Sequence, residues 1–289
     1  ANWYIYKMKF KVYSELSYEV FSPTTFIFNI QAAKSASQKV ISETLIVTPF
    51  IKFEEFTLKN SDTRFVKMEV EQGVFFTVIY EAEVEVSYTV YDEKVLLKSI
   101  PIINLDHEVL PFISPSRHCE SDKLLELATN EFGYLPNEYA KAKAINEWIF
   151  NTVEYKTGVT NSSTSACDTL LDRVGVCKDF AHLGIALCRA LDIPARYFTG
   201  YAHNLNPPDF HACFEAYIGG EWLFFDPTKL AVANGLVKIA NGKDASEVAV
   251  ASYFGDVTCT FMKIECHPTT NDFTPFNSEL DTLEAISYE

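Results

Sequence analysis

Three things are missing from this sequence, and each narrows what it can be. No apolar run is long enough to cross a membrane as a helix. There is no cationic excess: 24 Lys+Arg stand against 39 Asp+Glu, a formal charge of −15. Nucleic-acid and anionic-membrane partners need a cationic face, so neither is expected. Nor is there a C-x-x-C pair among the seven cysteines, at positions 119, 167, 177, 188, 213, 259 and 266. Structural zinc sites draw on closely spaced Cys or His pairs, and an odd number of thiols cannot all pair internally; the expectation is reduced thiols in a cytoplasm, without metal or cofactor. The opening "ANWYIYKMKF" lacks the basic start, apolar run and cleavage site of a secretory leader, although a leader already removed would leave no trace there.

What is present describes an ordinary globular chain. Its 289 residues, 48% apolar and 22% charged, can bury one large core or two moderate ones. From Met8 to Val20 every even position except Ser14 is apolar, and from Val74 to Val90 the even positions are apolar while Glu81, Glu83 and Glu85 lie opposite. That is a strand period with one dry and one wet face. The further runs "TFIFNI" and "RFVKMEV", with turn-rich "KNSDT" and "EQG", complete an antiparallel β-sandwich-like unit. Pro101, Pro111 and Pro115 mark an irregular connection, and the boundary is placed at residue 115, with a second unit over 116–289.

Helical spacing follows in "SDKLLELATNEF" and "EYAKAKAINEWIFNTV". A third, short helix is expected to start at Ser165, whose hydroxyl can cap the amide of Asp168, and to stop before Gly175. After Cys177, apolar residues at spacings of three and four over "CKDFAHLGIALCRAL" read as a buried amphipathic helix, ended by Pro194. Cys177 therefore sits in a first turn, where unpaired backbone amides lower a thiol's pKa. A buried cysteine is commonplace, so a nucleophile needs more: a base in reach and a group that orients the base.

Both are offered by "DFHACFEAYIGGEWLFFDPT", which reads as a hairpin with strands from His211 to Ile218 and from Trp222 to Asp226 around Gly219-Gly220. If Tyr217 faces Trp222, then Cys213 faces Asp226, and His211 and Asp226 become diagonal neighbours on one face. A slip of one residue would separate them. A thiol at a helix start and a His/Asp pair on one hairpin face make a Cys-His-Asp arrangement suited to acyl transfer.

Three blocks in order, "GVCKDFAH", "IPARYFTGY" and "HA" followed by "DPT", resemble the transglutaminase-like superfamily in its bacterial branch, over roughly residues 116–260. The preceding sandwich resembles the N-terminal β-domain of that branch. The resemblance implies an α+β fold with a papain-like, transglutaminase-like catalytic core, and a cysteine protease or amidase acting on peptide or protein substrates. It makes Cys177 the nucleophile, His211 the general base and acid, and Asp226 the group orienting the imidazole. One departure stands out: the family usually carries tryptophan two residues after the histidine, and here Cys213 takes that place, open to reading as a second reactive thiol or as one half of an inactivating disulfide. The Cys177 amide is one expected oxyanion donor, and Tyr155 is the candidate for the second. Water at the thioester gives hydrolysis and an amine gives transglutamination, while a catalytically silent interaction module is the reading from outside enzymology.

Other residues carry blander expectations. His182, about 140° round the helix from Cys177, is read as a packing histidine and Asp179 as support for the loop. His203 is assigned to a solvated loop, and Glu81, Glu83 and Glu85 to a wet strand face. Cys188 lies too far along the helix to pair with Cys177. Cys119, Cys167, Cys259 and Cys266 carry no functional signal.

Overall fold

The two alternating segments pair with each other. Strands Tyr4–Val20 and Phe75–Tyr91 run antiparallel in a register that sets Phe10 opposite Val84 and Val12 opposite Ala82, with all four side chains buried. In the computed structural model, which describes residues 4–59, 61–276 and 283–289, this pair is the spine of a five-stranded sheet. Gln38–Thr48 and Ala285–Ser287 pair along Phe75–Tyr91, and Val257–Pro268 pairs with Tyr4–Val20. A four-stranded sheet, ordered Ala251–Phe254, Thr24–Phe28, Arg64–Val70, Phe53–Thr57, lies across from it. Aromatic contacts join the two layers: the Phe26 ring meets Tyr18 at 5.2 Å and Phe76 at 5.0 Å, both edge-on.

The sheets do not stop at residue 115. Strands Ala251–Phe254, Val257–Pro268 and Ala285–Ser287 all come from beyond the expected boundary, and all three complete the N-terminal sandwich. Two of them extend strands whose backbone groups on that side would otherwise lack partners. The sandwich and the unit that follows it are therefore built from interleaved stretches of chain.

The single polar exception in the first strand has a partner. Ser14 is fully buried, and its hydroxyl lies 3.0 Å from that of Tyr201, which donates to the Ile30 carbonyl at 2.6 Å. Ser14 thus pairs the sandwich with a second antiparallel sheet, ordered Glu221–Phe225, His211–Ile218, Ala195–Ala202, Leu236–Gly242. Gln38 adds a second clamp: its amide group donates to the carbonyls of Ala33 and Lys238 and accepts from the Lys238 amide.

Four helices lie with this second sheet: Leu125–Phe132, Glu138–Thr152, Ala166–Asp172 and Cys177–Ala190. The third starts as expected, with a reciprocal cap between Ser165 and Asp168, and ends on Arg173 in the left-handed region at φ 54°. The fourth departs from the amphipathic expectation, for it is buried around its whole circumference from Asp179 to Ala190. The sheet covers one side and the other three helices cover the rest, so this helix is the centre of the core and its first turn is fixed from every direction.

Candidate active site

Cys177 owes its place to the two residues before it. Val176 is extended, and its N–H donates to Asp179 Oδ2 at 2.9 Å, which closes the first helical turn. Gly175 permits this approach, because a Cβ there would stand 2.7 Å from the Asp179 Cβ. Thr160 donates to the same Asp179 oxygen at 2.7 Å, so this fully buried carboxylate holds the loop as well as the cap. Cys177 is 9% exposed, and its thiol lies 3.9 Å from the carbonyl of Phe210, directly beside His211 in sequence.

The hairpin takes the register that its alternation requires. Tyr217 faces Trp222 and Phe214 faces Phe225 across a two-residue loop, and Gly219 and Gly220 supply its positive φ angles of 66° and 100°. Continued to the ends, this register puts Cys213 across from Asp226 and His211 on the diagonal. His211 Nε2 lies 2.8 Å from Asp226 Oδ2, with both side chains buried. The strand's other neighbour places His211 beside Gly200, where a side chain would strike the Val237 carbonyl.

Asp226 is held by more than the histidine. Oδ1 accepts from the Thr228 amide at 3.0 Å and its hydroxyl at 2.7 Å, and Oδ2 accepts from the Ala231 amide at 3.0 Å. Burial opposes the charge on Asp226, yet His211 and these donors together hold its carboxyl below the usual range. For His211, burial pushes the imidazole down, but Cys213, Asp226 and hydrogen bonds to Asp226 and Cys177 overcome it, and the net direction is well upward. Burial pushes the Cys213 thiol up to about 12, so near neutral pH it is uncharged and Asp226 is what holds the proton on His211.

Cys177, His211 and Asp226 thus come together as one chain of contacts. Nε2 faces Asp226, and the Cys177 thiol lies near enough to the imidazole to help raise it. Tyr155 joins them, with its phenol near the Cys177 amide. Burial, reinforced by Cys177 and Asp209, pushes that phenol up to about 12, so it carries its proton at neutral pH. Tyr155 is placed by a two-residue parallel bridge, Tyr155 opposite Gly175, and by its ring against Phe180 at 5.9 Å. Sequence reasoning missed Asp209, whose charge lies near enough to His211 to interact with it and whose carboxyl is raised by burial, along with Thr228 and Ala231, which donate to Asp226. The hydroxyl in "DPT" was the one signal that could have pointed to Thr228.

The residues set aside lie elsewhere. His182 packs between the His118 ring at 4.9 Å and the Tyr197 ring at 5.1 Å, and its Nε2 accepts from the Ala245 amide. His203 is not in open solvent; it is half-buried, 5.0 Å from the Phe273 ring, with Nδ1 3.1 Å from the Cys266 carbonyl. All seven cysteines are unpaired, and Cys259 is the exposed one.

His182 leads to a pH dependence. Burial, with His118 beside it, pushes its imidazole down to about 3, against about 6.5 in an unfolded chain. Below pH 6.5 the unfolded state therefore takes up a proton that the folded state refuses. Stability should fall at up to about 1.4 kcal/mol per pH unit as pH drops from about 6.5 towards 5. His211, raised in the fold, works the other way while its unfolded form still titrates around pH 6.5, and only below about pH 5.5, where it is protonated in both states, does it add no slope, so the loss from His182 emerges between about pH 6 and 5. Urea titrations at pH 6, 5.5 and 5 should show the loss, and His182→Gln should flatten it.

A buried cysteine at a helix start, near a histidine that a carboxylate contacts, is an arrangement suited to cysteine acyl transfer. Residues 8–108 match the bacterial transglutaminase N-terminal domain and residues 127–227 match the transglutaminase-like superfamily. A solved structure from Cytophaga hutchinsonii, described as a putative cysteine protease, is 52% identical over 100% of both chains with a TM-score of 0.97. The chain belongs to the transglutaminase-like superfamily. An uncharacterized protein of Mycobacterium leprae is 32% identical over 115 residues, 37% of this chain and 41% of that one. One from Mycobacterium tuberculosis is 33% identical over 115 residues, 35% of this chain and 37% of its own length. The chain thus spans about two fifths of the length of these relatives. Family and neighbour together support a cysteine-dependent enzyme.

Proposed function

We propose that this protein hydrolyses peptide or amide bonds through a thioester, with Cys177 as nucleophile, His211 as general base and acid, and Asp226 orienting the imidazole. The observation that carries this reading is the 2.8 Å contact of His211 Nε2 with Asp226, which leaves Nδ1 for the Cys177 thiol. Sγ attacks the carbonyl carbon while its proton resides on His211 Nδ1. The tetrahedral adduct then expels the amine, which takes the proton from Nδ1. Water attacks the thioester, giving a proton back to Nδ1, and the acid leaves as Cys177 recovers its hydrogen. A peptide or protein is the proposed substrate. The seven free thiols fit a reducing compartment such as the cytoplasm.

The developing oxyanion falls to the Cys177 amide and the Tyr155 hydroxyl, which lie near each other in the resting site. Tyr155→Phe should lower kcat by about 10²-fold and leave the alkylation rate of Cys177 within about twofold. A loss of alkylation equal to the loss of kcat would make Tyr155 a structural support instead.

Incubation with a glutamine-containing peptide and a labelled primary amine tests the reaction type. Release of ammonia or of a cleaved peptide is the expected result. Labelled amine in the peptide would instead show transglutamination, the same thioester resolved by another acceptor.

A further inference from the structure

Cys213 has no task in that mechanism, yet it stands in the catalytic cluster. Its thiol, a ring nitrogen of His211 and a carboxylate oxygen of Asp226 all lie within 4.8 Å of one another, and all three residues are buried. We propose that these three side chains form an inhibitory site for a divalent zinc-type ion, taking the place of the proton between His211 and Asp226.

The donor set decides the class of metal. Thiolate and imidazole with one carboxylate suit zinc, whereas magnesium and calcium need oxygen ligands. Around a tetrahedral zinc, with bonds of about 2.0–2.3 Å, ligand atoms stand roughly 3.3–3.6 Å apart. The His211–Asp226 contact of 2.8 Å must therefore open by about half an ångström, and the third donor lies within the spread that can close on the ion. Charge favours the exchange in a buried place. A dication with the Cys213 thiolate, the Asp226 carboxylate and a neutral imidazole sums to zero. Binding releases two protons, one from Cys213 Sγ and one from His211 Nε2.

The consequence for the reaction rests on the role proposed above for His211. With Nε2 on the metal, the ring keeps a single proton, on Nδ1, and cannot alternate between base and acid. The ion would thus silence the site by occupying the orienting contact, without a bond to Cys177.

The test uses the whole chain with Zn2+ in competition with a chromophoric chelator, and Co2+ as a spectroscopic stand-in. One equivalent should bind, with thiolate-to-cobalt charge-transfer absorption, and excess Mg2+ or Ca2+ should not displace it. Cys213→Ala and the closer-fitting Cys213→Ser should each weaken binding at least 100-fold with unchanged circular dichroism. Cys177→Ala should bind as the parent does. Parent-like affinity in both Cys213 variants, or no binding by the parent, overturns the site; so does loss of the cobalt band in Cys177→Ala alone. These readouts need no turnover. If Zn2+ binding depends on Cys213 while Cys177→Ala stays fully active, it is the proposed function that fails and the metal site that stands.

Discussion

Cys177→Ala is expected to lower amide or peptide hydrolysis by at least about 10³-fold, with the melting temperature unchanged within a few degrees. The proposed nucleophile is the one group for which the site offers no substitute. Cys213 is uncharged near neutral pH, for burial pushes its thiol up to about 12, and it stands beside Asp226 on the strand after the base. The change removes a single sulfur from a residue that is 9% exposed, so packing is barely disturbed. Cys259→Ala, on an exposed strand of the sandwich, is the control and should retain full activity. Steady-state rates on one peptide substrate, with thermal melts of the same preparations, make the comparison.

The second large effect concerns stability. Arg189, near the end of the central helix and 2% exposed, donates to the carbonyls of Ala195, Ser114 and Lys243 and to the Ser116 hydroxyl. Those four groups belong to the connecting segment, the first residue of the strand Ala195–Ala202 that pairs with the His211 strand, and the turn before the short helix Ala245–Val248. Arg189→Met keeps the apolar stem and takes the donor from four acceptors, of which the Ala195 carbonyl is buried and the others are part-buried or at the surface. Each hydrogen bond to a charged group contributes about 1.5–3 kcal/mol, and part is recovered because the desolvated charge is gone. A net loss of about 3–5 kcal/mol is expected, read as a lower urea midpoint at unchanged slope. A loss under about 1 kcal/mol would show that the segments hold together without it.

Much of the site could be read from residues alone because its geometry is set by short-range rules. A two-glycine loop between alternating strands fixes the hairpin register, and the register alone brings His211 to Asp226. Ser165 and Asp168 are three apart, and that spacing is the cap. What escaped were contacts between residues distant in sequence. Nothing near Ser14 announces Tyr201, 187 residues away. Strand Val257–Pro268 has mostly exposed side chains and weak alternation, so only its pairing with Tyr4–Val20 reveals it. Gln38–Thr48 and Phe53–Thr57 escaped for the same reason, their side chains being largely exposed or half-buried. The all-round burial of the central helix is set by which helices land on it, and its own periodicity carries no record of that.

The central claim is that burial does not make Cys177 inert, because a helix start and His211 activate it. Competitive labelling with substoichiometric iodoacetamide near neutral pH, followed by peptide mass spectrometry, measures this directly. Cys177 should be alkylated well before the exposed Cys259, and His211→Ala should remove that advantage. Labelling of Cys259 first, with Cys177 reacting only as the protein unfolds, would contradict the account.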